Sequence, residues 1–195
     1  MSLVADGVSS PDERAARTAD LLAAWEPTDP DQRAERDAFV AFTRERGAAA
    51  LNRDGGPEHL TASTFVLTRD HRRVLLALHR KAGLWLQLGG HVEPGDANLP
   101  AAALREAREE GGIADLELRA DAPVDLHRHP LGGAFGRCRA HWDTGWVAFA
   151  DEVPPLTSAE SHEVAWWPVD ALPTPVPHDL HVRLGHALTA ARLRT

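Results

Sequence analysis

Three glutamates within one short stretch are the residues of this chain whose types and spacing suggest chemistry. The stretch runs from Gly89 to Ile113 and reads GGHVEPGDANLPAAALREAREEGGI. In a helix, at about 100° per residue, Glu106, Glu109 and Glu110 lie within roughly a third of the circumference. Carboxylate oxygens with no sulfur or imidazole among them suit Mg²⁺ or Mn²⁺. The sequence therefore indicates a divalent-cation site on one face of a helix.

Local signals around these glutamates predict the helix that carries them. Asn98 is a preferred N-cap residue, Pro100 falls in the first turn where its missing N–H costs nothing, and the strong helix formers AAAL follow. Gly111 and Gly112 predict the end of the helix. Leu104 points nearly opposite to the glutamates, so one face can pack while the other presents carboxylates.

A solvated charged face is the ordinary explanation for a run such as EAREE. Like charges at this spacing destabilise an isolated helix by roughly a few tenths of a kcal/mol per pair. Arg105 offsets part of that cost as the i,i+4 partner of Glu109. The turn before the helix favours an ion instead, because Gly89, Gly90 and Gly95 allow backbone carbonyls to come close to it.

The same stretch resembles the signature of the Nudix hydrolases, G-x5-E-x7-R-E-U-x-E-E-x-G-U, in which U is a bulky aliphatic residue. In this chain Asp96 replaces the first glutamate, one extra residue separates it from Arg105, and Ala107 is small where an aliphatic is usual. The insertion precedes the helix, so it bears on Asp96 and leaves the helical register intact. The matching positions are Gly90, Arg105, Glu106, Glu109, Glu110, Gly112 and Ile113.

The resemblance implies a hydrolase that cleaves a pyrophosphate bond in a nucleoside diphosphate linked to another moiety. Mg²⁺ or Mn²⁺ would neutralise the phosphates and lower the pKa of the attacking water. Arg105 would orient a glutamate, and Glu106 is the first choice for the general base, with Glu160 or Glu163 as an alternative base or distal metal ligand. By the same resemblance the metal ligands are Glu106, Glu109, Glu110 and the backbone carbonyl of Gly89, and the catalytic residues are Glu106, Arg105 and Glu109.

Candidates for substrate binding lie outside the acidic helix. His127 and His129 alternate on a predicted strand and so share a face, where with His141 they would make a substrate-side or second metal site. Such a histidine set suits Zn²⁺. Core packing or surface charge is the competing explanation for each candidate. The full set of substrate-binding candidates is His91, Trp85, Arg80, His127 and His129.

Bulk properties narrow the class of partner. A net charge of −8 and a pI near 5.7 argue against a stable nucleic-acid complex and leave a small phosphorylated, nucleotide-derived substrate. The single cysteine, Cys138, rules out an internal disulfide framework and fits a reducing compartment. No apolar run reaches the length of a membrane span. These features predict a cytoplasmic protein.

Hydrophobic spacing predicts a helical extension over residues 1–58, and the resemblance implies a Nudix hydrolase domain over residues 59–195. One helix is expected from Pro11 to Trp25, after a start signal at Ser10-Pro11. A second helix is expected after Asp29-Pro30, and it ends by Asp54. The extension would cap the active site, form a homodimer contact or cover an apolar flank. A last helix is expected from Asp179 to Leu193.

The segments between these helices read as strands. Their order around the acidic helix is what the resemblance implies for an α/β fold of the Nudix type, an α/β/α sandwich with a mixed sheet. The predicted strands are LTASTFVLT, RVLLALHR, LWLQL, LELRA, APVDLHRHP, WVAFA and EVAWWPV.

Two other functions share this fold. A non-catalytic nucleotide- or ligand-binding regulator is the first alternative, and the complete set of helical acids argues against it. An isomerase of the isopentenyl diphosphate type would need a cysteine in a suitable strand, whereas Cys138 lies in a Gly/Arg-rich loop.

Overall fold

A mixed sheet flanked by helices forms the described part of the chain, which is residues 10–133 and 136–193 of a computed structural model. The predicted α/β class is confirmed. A 3₁₀ turn at Gly47–Leu51 follows the second helix. The elements in chain order are α1 (Pro11–Ala24), α2 (Pro30–Arg46), β1 (Glu58–Thr68), β2 (Arg73–His79), β3 (Leu84–Leu86), β4 (Leu88–His91), α3 (Leu99–Gly111), β5 (Glu117–Leu118), β6 (Asp125–Pro130), β7 (Ala140–Ala150), β8 (Ser161–Pro168) and α4 (Leu180–Arg192).

Strand β1 is the centre of the sheet. It runs parallel to β7 over its whole length, from Glu58 opposite Ala140 to Thr68 opposite Ala150. On its other edge, β4 pairs antiparallel with its first half and β2 with its end. Strands β3 and β8 extend the sheet beyond β2, while β5 and β6 pair with β7. The loop before α3 therefore begins directly beside the central strand.

The segment LWLQL forms two strands and not the single strand that the sequence predicts. The chain changes partner at Gln87, so that β3 pairs with β2 and β4 pairs with β1. Gly89 allows this close approach, because a Cβ atom there would lie 2.5 Å from the Cα of Ser63. Strand β7 also begins six residues before the predicted WVAFA, since its polar first half is held by pairing with β1 and β6.

Alternate residues of β1 face two different layers. Leu60, Ala62 and Val66 pack on the side of α3, whereas Phe65 and Leu67 pack on the side of α4. Because successive side chains alternate, His59, Thr61 and Ser63 lie on the face opposite α3.

Helices α1 and α2 cover an apolar flank of this structure. Leu22 and Phe39 are fully buried in one cluster with Leu60, Ala102 and Trp146. Burying one such side chain stabilises the fold by roughly 1.5–3 kcal/mol. Of the three roles considered for the extension, covering the flank is the one that these contacts support. The division of the chain at residue 58 stays a prediction.

A buried ion-pair network fixes α4 to the sheet. Arg183 donates to Asp125 at 2.6 Å and to Asp143 at 2.7 Å. Asp143 also accepts hydrogen bonds from the hydroxyls of Thr61 and Ser63. Each buried charge is thereby paired and hydrogen-bonded, which is the condition for tolerating charges in a protein interior. Among the described helices, none combines the length and apolar character needed to cross a membrane.

Candidate active site

Helix α3 presents the acidic face as predicted. The side chain of Asn98 accepts a hydrogen bond from the N–H of Ala101 at 2.9 Å, and Gly112 ends the helix with a left-handed φ of 64°. Ala103 and Ala107 are fully buried against the sheet, and Leu104 packs beside them. The small side chain at Ala107, a departure from the Nudix signature, therefore lies at the contact between helix and sheet.

Arg105 connects the loop to the carboxylates of the helix. Its Nε and Nη2 atoms each donate to one oxygen of Asp96 at 2.9 Å. Its Nη1 atom donates to Glu106 at 3.0 Å and to Glu109 at 3.1 Å, and Nη2 also reaches the backbone oxygen of His91 at 2.9 Å. The hydrogen bonds to Asp96 raise the pKa of Arg105, so the guanidinium is a permanent positive charge.

Asp96 has a role that the sequence alone did not show. Burial would raise the pKa of its carboxyl group, but hydrogen bonds from Arg105 and from the N–H of Glu93 hold that pKa below its usual range. Both oxygens are engaged in these bonds, so Asp96 positions Arg105 and closes the loop. The shorter acid reaches Arg105 despite the extra residue between them.

Glu110 is the buried carboxylate of the cluster. Its Oε2 accepts a hydrogen bond from the N–H of Gly89 at 2.8 Å, and the residue is 7% exposed. Burial raises its pKa to about 8, and the charges of Glu106, Glu160 and Glu109 add to the effect. Within residues 10–133 and 136–193, Glu110 makes no ion pair. A bound cation would favour the ionised form of Glu110, which burial otherwise disfavours.

Gly89 and Gly90 bring the backbone of β4 against these acids. A Cβ atom at Gly90 would lie 2.7 Å from the carboxylate of Glu106. The N–H of Gly89 points to Glu110, and the carbonyl of a strand residue points to the same edge as its N–H. The carbonyl of Gly89 therefore faces the edge where the carboxylates gather, as the resemblance implies for a metal ligand.

The two alternative acids before and in β8 occupy different positions. Glu160 is exposed, and it is near enough to Glu106 and Glu110 for its negative charge to raise the pKa of both. Glu163 is also exposed and lies opposite Leu78 in the pairing of β2 with β8. Its neighbour Val164 packs beneath α3, so the side chain of Glu163 points to the other face of the sheet. The structure brings Glu160 to the acidic cluster and does not bring Glu163 there.

The histidine candidates lie on the opposite face of the sheet from the acids. The ring of His91 is 5.0 Å from that of His59 and 5.3 Å from that of His141. The rings of His127 and His129 stack at 5.5 Å, and His129 lies 5.5 Å from His141. The shared face predicted for His127 and His129 is present, but it is not the face of Glu106.

The other two substrate-binding candidates are separated from each other. Trp85 is 5% exposed, and its ring packs against Trp167 in the core beneath α4. Arg80 is exposed, and its Nη1 atom lies 3.3 Å from the Nδ1 atom of His162. Its backbone N–H donates a hydrogen bond to the backbone oxygen of Glu160. Arg80 is thus at the rim of the acidic cluster, while Trp85 is a core residue.

Comparison with known proteins gives a family and a set of similar folds. The profile of the NUDIX domain matches residues 57–188. A hydrolase of the NUDIX family from Clostridium perfringens has a TM-score of 0.55 and 25% identity, over 67% of this chain and 96% of that chain. No curated protein matches the chain.

Two further solved structures share the fold at lower identity. An ADP-ribose pyrophosphatase from Streptococcus suis has a TM-score of 0.52 and 20% identity, over 70% of this chain and 93% of that chain. The NUDIX domain of NrtR from Shewanella oneidensis, complexed with ADP ribose, has a TM-score of 0.50 and 23% identity, over 68% and 85%.

Proposed function

We propose a metal-dependent reaction for this chain on the premise that it belongs to the Nudix hydrolase family and is a pyrophosphohydrolase of that type. The substrate is a nucleoside diphosphate linked to another moiety, and the bond cleaved is its pyrophosphate anhydride. The cofactor is Mg²⁺ or Mn²⁺. The proposed ligands are Glu106, Glu109, Glu110 and the carbonyl of Gly89.

The buried carboxylate of Glu110 is the observation that carries this proposal. It lies beside Glu106 with a raised pKa and no cationic partner in the described chain, although Arg105 pairs with its neighbours. Hard oxygen donors gathered beside a carboxylate that has no cationic partner fit a hard divalent cation. When bound, such an ion neutralises phosphate oxygens and lowers the pKa of a water molecule.

The remaining roles in the proposed reaction belong to side chains of this protein. Arg105 fixes one oxygen of Glu106, Oε1, which leaves Oε2 free to accept a proton from the attacking water. Burial raises the pKa of Glu106, and a stronger base accepts that proton more readily. Glu109 is held by Arg105 but is mostly exposed, so its carboxylate would be available as a ligand to the cation. Glu160 is the second candidate for the base, because its charge acts on both Glu106 and Glu110.

The alternative is a regulator that binds a nucleotide-derived ligand without hydrolysis. The solved NUDIX domain of NrtR holds ADP ribose, and its fold is similar to this one. An Arg105 that already orients two carboxylates beside Glu110 favours hydrolysis, because a binding module does not require this arrangement. Metal-dependent release of products separates the two functions.

The test is a panel of phosphoanhydrides incubated with the full chain and Mg²⁺ or Mn²⁺, with each product identified by mass. The panel includes nucleotide sugars, dinucleoside polyphosphates, oxidised nucleotides and coenzyme A. Hydrolysis must require the metal and must be lost in Glu110→Gln, whereas Glu45→Gln, an exposed acid on α2, keeps the wild-type rate. Ligand binding without turnover on every anhydride would support the regulator instead.

The setting of the reaction follows from composition. We propose a cytoplasmic protein, since the chain has a single cysteine, and a small phosphorylated substrate and not a nucleic acid, since the net charge is −8. A homodimer is tested by light scattering of the purified chain.

A further inference from the structure

Four side chains with nitrogen and sulfur donors meet on the face of the sheet opposite the acids. His59 comes from β1, His91 from the end of β4, His141 from β7, and Cys138 from the loop before β7. One donor atom from each residue lies within 4.8 Å of the others. The ring of His59 is 5.0 Å from both His91 and His141. We call these four residues the His/Cys cluster.

Hydrogen bonding does not explain the burial of these histidines. His59 has 0% exposure, yet neither of its ring nitrogens has a hydrogen-bond partner. The backbone of Gly56 approaches this ring, but not in hydrogen-bonding geometry. The Nε2 atoms of His91 and His141 are also buried without partners. Buried polar groups are nearly always bonded, so several orphaned nitrogens on neighbouring rings indicate a missing partner.

The charge state of the rings matches that of metal ligands. Burial lowers the pKa of His91 to about 4 and that of His141 to about 3, and it also lowers the pKa of His59. Burial thus favours neutral imidazole, which is the form that ligates a metal. The positive charge of Arg53 acts on His59 and His91 in the same direction.

We propose that His59, His91, His141 and Cys138 bind one Zn²⁺ ion. Three imidazoles and a thiolate form the tetrahedral nitrogen and sulfur set that zinc prefers, and the oxygen set around Glu110 does not. Zinc bonds of about 2.0–2.3 Å imply donor atoms about 3.3–3.6 Å apart. The four side chains must therefore close by up to about 1.5 Å, which is within the reach of side-chain rotation.

The zinc ion would join three strands and a loop at the start of the turn between β4 and α3. His91 directly follows Gly90, and its backbone oxygen accepts a hydrogen bond from Arg105. A metal bond to the ring of His91 would fix the end of β4 and, through this backbone oxygen, one partner of Arg105. With four protein ligands the site is closed, so its role is to hold the structure and not to bind substrate.

The experiment loads the chelator-treated full chain with Zn²⁺ or Co²⁺ and needs no assay of activity. We expect one zinc per chain by elemental analysis, and a cobalt spectrum with tetrahedral d–d bands and a thiolate-to-cobalt charge-transfer band. Cys138→Ser should lose the charge-transfer band. It should also bind zinc at least ~10-fold more weakly, since losing an outer-shell partner alone costs ~10–100-fold. His141→Gln should weaken zinc binding at least as much.

Matched controls separate this site from its neighbours. His127→Gln removes a histidine on the same face that is outside the His/Cys cluster, and Glu110→Gln alters the acidic cluster; both should keep the zinc and the cobalt bands. A fully buried variant such as His59→Gln is not required, because Cys138 is only partly buried. The proposal is overturned if the cobalt spectrum lacks a thiolate band in the wild-type chain, or if Cys138→Ser and His141→Gln bind zinc as tightly as the wild type.

Discussion

Replacing Asp96 by asparagine tests how the loop is held to the acidic helix. The change keeps the shape of the side chain but removes the charge that pairs with Nε and Nη2 of Arg105. Breaking a buried ion pair from one side costs about 3–5 kcal/mol. Arg105 is 21% exposed and keeps Glu106 and Glu109 as partners, so we expect a loss of about 2–3 kcal/mol.

This loss corresponds to a fall in Tm of about 4–12 °C for a chain of this length. Because Arg105 also orients Glu106, kcat/KM should fall by about 10–100-fold, as is usual for a partner behind a metal ligand. Thermal unfolding by circular dichroism and a hydrolysis assay measure the two effects. Asp151→Asn is the control, since its ion pair with Arg69 is mostly exposed and should change the free energy of unfolding by less than ~1 kcal/mol.

Asp96→Glu examines the same contact in the opposite direction. It introduces the acid of the Nudix signature, but Asp96 is buried and both of its oxygens are already bonded, so another methylene must displace these contacts and we expect a loss of about 1–3 kcal/mol. For Asp96→Asn, a Tm within about 1–2 °C of the wild type, about the spread expected of a neutral change, would refute the stabilising role given to the pair of Asp96 and Arg105.

Three further predictions concern the acids and the network beneath α4. Glu110→Gln should reduce Mg²⁺-dependent turnover by more than ~10²-fold while leaving the Tm without metal unchanged. Added Mg²⁺ should raise the Tm of the wild type but not that of the variant. A kcat near the wild-type value in this variant would exclude Glu110 as a ligand. Glu160→Gln should lower kcat or the apparent affinity for Mg²⁺, whereas Glu163→Gln should not, and equal effects in a steady-state assay would contradict the placement of these acids. The hydrogen bond to Asp125 raises the pKa of His186 above its usual 6.5, with Asp29 adding to the effect and Arg183 opposing it. Its stabilising contribution is therefore complete below pH 6.5 and declines as the pH rises through the folded pKa. In urea unfolding, His186→Gln should lose more stability relative to the wild type at pH 5.5 than at pH 9, and a constant difference would count against this interpretation.

The acidic helix could be predicted from the sequence because its determinants are local. The cap at Asn98, the proline after it and the stop at Gly112 act within one turn, and the spacing of the glutamates fixes their common face. The helix at the end of the chain followed for the same reason. Its bounds, Leu180–Arg192, lie within one residue of those predicted.

Contacts between distant segments were the part that the sequence could not show. The pair of Asp96 and Arg105 depends on how the loop folds, since an extra residue lies in the spacing. His59 and His141 become neighbours only through the parallel register of β1 and β7, which no local pattern specifies. Trp85, placed by sequence beside the loop, turns into the core because β3 pairs with β2.

The alternation along β1 predicts which parts of this chain tolerate changes in length. An insertion between Asp96 and Arg105 is already accommodated, because the loop before α3 absorbs it and the pairing survives. A deletion of one residue just after Leu60 would exchange the two faces for every β1 residue before it. Leu60 would then point to the face that now holds His59, and His59 to the apolar face beneath α3. Natural variation in length should therefore collect in the turn before α3 and be absent from the central strand.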